Sequence, residues 1–525
     1  MSSNTTSTTP KGEQKTTTST TTTSTRPPLY ETDEVKSYYY PEREADLTEV
    51  RTGYSIWRNN TFRTVILSVI PIIIFNIVYV YNNFSVLVGV YDKFQQMMVK
   101  EFKEKEDPTF IYIMLGLSLL TVLLIQLVIS VFMSKKSRPV YLVDFSVFQP
   151  PDSNKITHDF FMEHTKRVGW FKEESVEFQS KVIYRTGLGN ETYFPSGITL
   201  EKPDMSIQSA REEADQVLSG CLDALFAKTK LKPTDIDILI VNCSLFNPTP
   251  SLAAMMMNKY KMRHDVLSYN LSGMGCSAGV ISIDLAKQLL QVHKNSIAVV
   301  LSTENITQNW YKGNERSMLV SNTLFRMGGA AIMLSNKPKY YWTGKYRLVS
   351  SVRVTKSHLD KSYNAVYQME DSEGNRGVRL ANGKELMSVV GDALKTNLTI
   401  LGPMVLPWSE QFRFFVNLCY RRMINPKYPS YVPDFKKAFQ HYCIHAGGRA
   451  VIDGLEENFK LSEYDVEPSR ATLYRYGNTS SSSIWYELNF IEKQHHVKGG
   501  EKVWQLAFGS GFKCNSAVWQ ALRDI

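Results

Sequence analysis

The sequence predicts an α/β protein with a mostly parallel sheet and helices on its faces, behind a two-helix transmembrane hairpin and a disordered N-terminal tail. Three observations lead there. From about residue 139, short apolar strand-like runs alternate with helical periods, the pattern of a sheet covered by helices. CSAGVISID (residues 276–284) and HAGGRAVID (residues 445–453) align without a gap, the trace of a duplicated fold. Two long uncharged apolar runs precede the alternating region.

Residues 1–60 open with a Thr/Ser-rich stretch that has almost nothing apolar to offset the entropy of ordering, followed by a polar segment; the tail is expected to be disordered. Residues 61–138 hold the apolar runs, at 64–81 and 110–133. A helix of about 20 residues spans the hydrocarbon layer, so two transmembrane helices with a short lumenal loop are expected. Pro71 and Asn76 interrupt the first run, whose alternative is a buried soluble helix. Arg51, Arg58 and Arg63 precede the pair and Lys135, Lys136 and Arg138 follow it. That asymmetry places both ends, and the bulk of the chain, in the cytosol. The glycosylation sequon Asn478-Thr479-Ser480 agrees, because it overlaps a candidate site residue.

The remainder is expected to divide into halves at residues 139–337 and 338–525. VYLVDF (140–145), IDILIVNCS (236–244) and NSIAVVLSTEN (295–305) read as strands, and 209–229 and 277–292 as helices.

The chain has 525 residues and a formal charge of +9, a balance suited to anionic ligands as well as to plain solubility. No Lys/Arg run with interleaved aromatics points to nucleic acid. Six cysteines lie scattered with neither a C-x-x-C pair nor a zinc spacing, so reduced, cytosol-facing thiols are expected and no metal.

Four segments carry candidate chemistry. In NLSGMGCSAG, Gly273 and Gly275 permit a tight turn that sets Cys276 at a helix N-terminus, where a thiolate is favoured and the thiol pKa falls. The alternative is a buried structural cysteine. His445, in CIHAGGRAV, likewise follows an apolar strand and could hold the thiol proton; a satisfied core histidine is the other reading. Asn478, in YGNTSSSS, is a neutral donor able to stabilise negative charge, or a turn asparagine. In AFGSGFKCN, Gly509 and Ser510 expose backbone N–H groups suited to an oxyanion hole, or form a plain turn.

Together with VNCSLFNPTPSLAAM, STENITQNWYKGNERSMLVSN and LFRMGGAA, these segments resemble the 3-ketoacyl-CoA synthases of plant-type very-long-chain fatty acid elongation. The resemblance runs from VYLVDF to the C-terminus. It implies a thiolase-like duplicated α-β-α-β-α fold, a catalytic set on Cys276, His445 and Asn478, and a second histidine on His441. It departs at Thr355 and Tyr474, where the family commonly has histidine; His358 lies nearby without taking that place.

The implied reaction joins a long-chain acyl-CoA to malonyl-CoA with loss of carbon dioxide. No metal or cofactor is expected, since decarboxylation drives it. Expected partners are both thioesters, membrane lipid, a second copy of the chain, and the ketoacyl reductase, dehydratase and enoyl reductase of an elongase at the endoplasmic reticulum; nucleic acid is not expected. The competing readings are a membrane-anchored type III polyketide synthase and a non-catalytic scaffold.

Overall fold

A computed structural model describes residues 137–525. The expected tail and transmembrane hairpin lie outside the described residues but for the last two positions, and no helix among those residues is long and apolar enough to cross a membrane.

Nine strands form one sheet. In chain order they are β1 (Tyr141–Val147), β2 (Ile238–Asn242), β3 (Leu267–Leu271), β4 (Ile297–Thr303), β5 (Gly329–Ser335), β6 (Tyr346–Thr355), β7 (His441–Ile444), β8 (Lys502–Gly509) and β9 (Lys513–Ala521). Their spatial order is β7-β8-β9-β6-β1-β5-β4-β2-β3. The helices that matter for the site are α1 (Ile207–Thr229), α2 (Ala278–Val292), α3 (Gly383–Val405), α4 (Trp408–Met423), α5 (Arg449–Phe459), α6 (Glu463–Tyr476) and α7 (Ser483–Gln494).

The strands expected from sequence form: those at 236–244 and 295–305 are shortened at both ends, and the one at 140–145 starts a residue later and runs on to Val147. Their continuous apolar character has a direct cause: β2 is buried on both faces. Ile238 and Ile240 pack into a cluster with Val280 and Ile283 of α2, while Leu239 and Val241 pack against Val217 and Leu218 of α1. The first cluster also takes Ile484, Trp485 and Leu488 of α7 and Val503 and Ala507 of β8. The central helices α2 and α7 therefore lie between the two half-sheets. Helices α3 and α5 cover the other face of the second half, through Val390, Ala393 and Ile452 against Trp504 and Leu506. The result is an α-β-α-β-α layering.

The sheet is not mostly parallel. Parallel pairing is confined to β2–β3, β2–β4 and β7–β8, and the other pairs are antiparallel. The reason is visible at β8 and β9, joined by the turn Ser510-Gly511-Phe512, which is far too short for a parallel crossover.

The duplication is real, but its register differs from the sequence alignment. Strand order and direction match β1 with β6, β5 with β9, β4 with β8, and β2 with β7, the halves meeting at Tyr141↔Arg347 and Leu142↔Tyr346. His445 follows β7, whose counterpart is β2, so it corresponds to the turn after Asn242 and not to Cys276. The counterpart of α2 is α7, the central helix that runs into β8. The twin of the Cys276 turn is thus the one carrying Asn478. Glycine-bearing turns after a short strand in both places produced the misleading match.

Candidate active site

Cys276, His445, Asn478, Gly509 and Ser510 all line one cavity of about 440 Å³. Each arrives on a different turn, and the local sequence explains each placement.

Edge strand β3 delivers the chain to Gly273 (φ +65°) and Gly275 (φ +69°), left-handed conformations that a side chain would strain. Gly275 has a second constraint. A Cβ there would stand 2.4 Å from the Ser510 backbone nitrogen, so the Cys276 turn lies directly on the Gly509-Ser510 turn. A Cβ on Gly509 would in turn meet Ser277 Oγ at 2.4 Å. Glycines on both sides let the two backbones touch, which brings the Ser510 N–H beside the thiol turn.

The expected low thiol pKa is not what this geometry produces. Cys276 is partly exposed as a residue, but its thiol is enclosed by the cavity wall. Burial, with the Glu304 carboxylate adding to it, pushes the thiol up to about 11; the Ser480 hydroxyl and a backbone group pull the other way more weakly. Taking a thiolate out of water costs more than the helix start returns.

His445 is buried, and burial depresses it to about 4, so the imidazole is neutral at physiological pH. Its Nδ1 lies 2.7 Å from Ser483 Oγ. The Ser483 hydroxyl donates to the Ser480 carbonyl at 3.1 Å. With that proton committed, Nδ1 is the donor to Ser483 and Nε2 keeps its lone pair. Rotating the Ser483 hydroxyl toward Nδ1 would switch the tautomer.

Asn478 is clamped through its backbone. Its N–H donates to the Leu324 carbonyl at 3.1 Å, and its carbonyl accepts from Arg326 N–H at 3.0 Å. Its Oδ1 accepts from Ser480 N–H at 2.9 Å and its Nδ2 donates to the Gly447 carbonyl at 3.2 Å, which fixes the amide orientation. The remaining Nδ2 hydrogen is available to the cavity. The bond to Gly447 also ties Asn478 to the His445 turn.

Several functional residues escaped the sequence reading. Ser480 holds a left-handed φ of +56°, and its hydroxyl donates to Glu304 Oε2 at 3.2 Å while meeting the Cys276 thiol. Buried Glu304 also accepts from Leu245 N–H at 2.9 Å and Ser244 N–H at 3.1 Å, tying the loop after β2 to the same point. Ser481 donates to Asn242 Oδ1 at 2.7 Å. The serine run after Asn478 was legible as a small-residue loop; which hydroxyl reaches which partner depends on chain crossings that no local pattern encodes.

His441 is not brought to the cavity. It starts β7, four residues before His445, at the far end of a strand rising about 3.3 Å per residue. There its Nε2 meets Glu501 Oε2 at 2.9 Å. His358 and Thr355 are exposed, whereas Tyr474 is buried in α6.

The arrangement joins an enclosed thiol, a neutral imidazole with a free lone pair, an amide donor and backbone N–H groups at one end of an apolar cavity. Val366, Val378, Leu380, Leu386, Val390 and Val451 form much of the rest of its wall. Such a site suits acyl transfer from a thioester with a hydrophobic tail.

Comparison with known proteins agrees. Residues 132–423 match the family described as FAE1/Type III polyketide synthase-like protein, and residues 419–523 match the chalcone and stilbene synthases, C-terminal domain. The Arabidopsis thaliana protein 3-ketoacyl-CoA synthase 9 is 57% identical over 396 residues, covering 75% of this chain and 77% of its own. 3-ketoacyl-CoA synthase 4 of the same plant is 57% identical, covering 76% and 77%. The C-terminal type III polyketide synthase domain of Steely1 from Dictyostelium superposes with a TM-score of 0.57 at 17% identity, over 73% of this chain and 99% of that one, a likeness of fold. The chain belongs to the 3-ketoacyl-CoA synthases, within the FAE1/type III polyketide synthase-like family, and has their thiolase-like fold.

Proposed function

We propose that this protein condenses a long-chain acyl-CoA with malonyl-CoA, releasing carbon dioxide and CoA and giving a 3-ketoacyl-CoA two carbons longer. The observation that carries this is the meeting of Cys276, His445 and Asn478 in one apolar cavity, in a chain 57% identical to proteins named 3-ketoacyl-CoA synthases.

Cys276 sulfur attacks the acyl thioester as its proton passes to His445 Nε2 and on to the departing CoA thiolate. Since thiol and imidazole both rest neutral, proton transfer accompanies attack. The tetrahedral oxyanion accepts hydrogen bonds from backbone N–H groups of Cys276 and Ser510. Malonyl-CoA then loses carbon dioxide. The enolate oxygen is held by Asn478 Nδ2 and by His445 in its Nε2–H tautomer, which the Ser483 hydroxyl supports by donating to Nδ1. The enolate carbon attacks the acyl carbonyl, the bond to Cys276 sulfur breaks, and one proton taken up overall restores the thiol. No step calls on a metal or redox cofactor.

The apolar runs at 64–81 and 110–133 support residence in the endoplasmic reticulum membrane as a hairpin, with the catalytic body cytosolic. A homodimer, and hand-over to a ketoacyl reductase, a dehydratase and an enoyl reductase, complete the reading.

The test uses purified protein in detergent, labelled malonyl-CoA and acyl-CoAs of graded length. A two-carbon-longer ketoacyl product, absent in Cys276→Ala, is expected. No product at any length from folded protein would sink the proposal.

A further inference from the structure

Helix α4 is built inside out. Of its 16 residues only Glu410 is buried. Its inward contacts, to the chain segments that flank it, are polar: Glu410 pairs with Lys437 at 2.6 Å and accepts from the Tyr431 hydroxyl at 2.5 Å, and Gln411 Nε2 donates to the Leu406 carbonyl at 2.8 Å. Asn417 Nδ2 donates to the Pro429 carbonyl at 3.0 Å. Its large apolar side chains point the other way. Trp408 is 85% exposed, Phe412 68%, Phe415 61% and Met423 80%. They recur at spacings of four, three and eight, one stripe of a helix. Ile424 and Val432 continue the exposed apolar surface beyond it.

Exposure of this kind is costly in water and marks a surface that is covered in use. The charges around it indicate what covers it. From residue 411 to 433 the sequence holds Arg413, Arg421, Arg422 and Lys427 and no acidic residue. The one carboxylate of α4, Glu410, is already engaged inward. Trp and Phe on one face with cations at the margins is the composition of a helix lying in the headgroup–acyl boundary of an anionic bilayer. The chain also brings the body close to such a surface: the apolar run ending at Met133 stops eight residues before β1, a reach of about 27 Å at most.

We propose that α4 is an interfacial membrane helix, with its Trp408–Phe412–Phe415–Met423 face buried among the acyl chains of an anionic bilayer. It rests on the membrane residence proposed above only in that the hairpin supplies a bilayer to lie on; the polar attachment and apolar face of α4 are observed directly. The helix follows α3, whose Leu386 and Val390 line the reaction cavity, so the contact would hold that wall at the membrane surface.

The full-length protein, reconstituted in phosphatidylcholine/phosphatidylserine vesicles with and without brominated acyl chains, provides the test. Subtracting the fluorescence of Trp408→Phe isolates Trp408 from the other seven tryptophans. The expected difference emission is blue-shifted and is lost in brominated vesicles. Replacing Arg421 and Arg422 together by Gln should weaken that quenching. A red, water-like emission untouched by bromine overturns the proposal. A blue-shifted emission that bromine does not touch but dilution reddens assigns the face to a second copy of the chain, and overturns it too. Failure of the protein to enter vesicles at all overturns both this inference and the hairpin, whereas entry without quenching overturns this inference alone.

Discussion

Gly275→Ala tests whether the Ser510 N–H serves as an oxyanion donor. The new methyl would stand 2.4 Å from the Ser510 nitrogen and 2.6 Å from its Oγ, about 1 Å short of ordinary contact. Ser510 must retreat by roughly that distance, because its neighbour across the gap is backbone and not a yielding side-chain tip. A displacement of about 1 Å at a catalytic group can cost ~10²-fold, similar to deleting one oxyanion donor outright. The substitution also places alanine at φ +69°, a strain of ~1–2 kcal/mol. Gly273→Ala separates the two effects: its φ is +65°, but nothing lies within 4 Å of its Cβ. Both variants should lose thermal stability through the strained φ, Gly275→Ala more because it adds the clash, and only Gly275→Ala should lose acylation rate, read as rapid-quench release of CoA from acyl-CoA. If Gly275→Ala acylates as fast as Gly273→Ala, the oxyanion role of Ser510 is wrong.

Ser483→Ala leaves His445 Nδ1 without its partner, a loss of ~1–3 kcal/mol in a buried site, which lets the Nε2–H tautomer accumulate. Acyl loading should fall about 10- to 100-fold, and decarboxylation of malonyl-CoA measured alone should fall less; equal losses would count against a tautomer role. Asn478→Asp should impair decarboxylation more than loading, since a carboxylate repels both the enolate and the Gly447 carbonyl. His445 titrates near 4, so kcat/KM for acyl loading should hold to about pH 4 on the acid side; an inflection near 6.5 would refute its burial as a neutral base. The same depression means that between about pH 4 and 6.5 the unfolded chain binds a proton the folded chain does not. The contribution of His445 to stability therefore rises with pH across that window, and His445→Gln should remove that share of the slope in urea melts, leaving what His158, His164 and His441, likewise lowered by burial, contribute.

The strands and helices of the body were legible because burial on both faces writes a continuous apolar run, and because glycines mark the turns that bear Cys276 and the Gly509-Ser510 pair. The triad could be named from local motifs for a related reason: Cys276 and His445 sit where a strand ends and Asn478 where α6 ends at Gly477, each at a tight backbone turn. Direction of pairing was not legible. Nothing within β8 or β9 states that they run antiparallel; the short turn at Gly511 does, once both are known to be strands. The repeat misled because chemically similar turns after β3 and β7 are not topological equivalents. The thiol's raised pKa comes from burial inside the cavity wall, with Glu304 adding to it, and no pattern local to Cys276 encodes that enclosure. His441 shows the limit of motif transfer, since four residues along a strand carry a side chain to its opposite end.

The crossing that places Asn478 against Leu324 and Arg326 has a consequence for synthesis of the chain. Asn478 leaves the ribosome 202 residues after Cys276. At ~5–20 residues per second that is an interval of ~10–40 s. During it Leu324 and Arg326, which will clamp Asn478, are made, yet the amide donor and the Ser480 hydroxyl that meets the thiol do not exist. Newly made protein in that window carries a thiol without the machinery that makes it selective. Cells that oxidise or alkylate thiols during translation would therefore damage Cys276 before it has ever been a catalyst, and only completion of the last fifty residues closes that exposure.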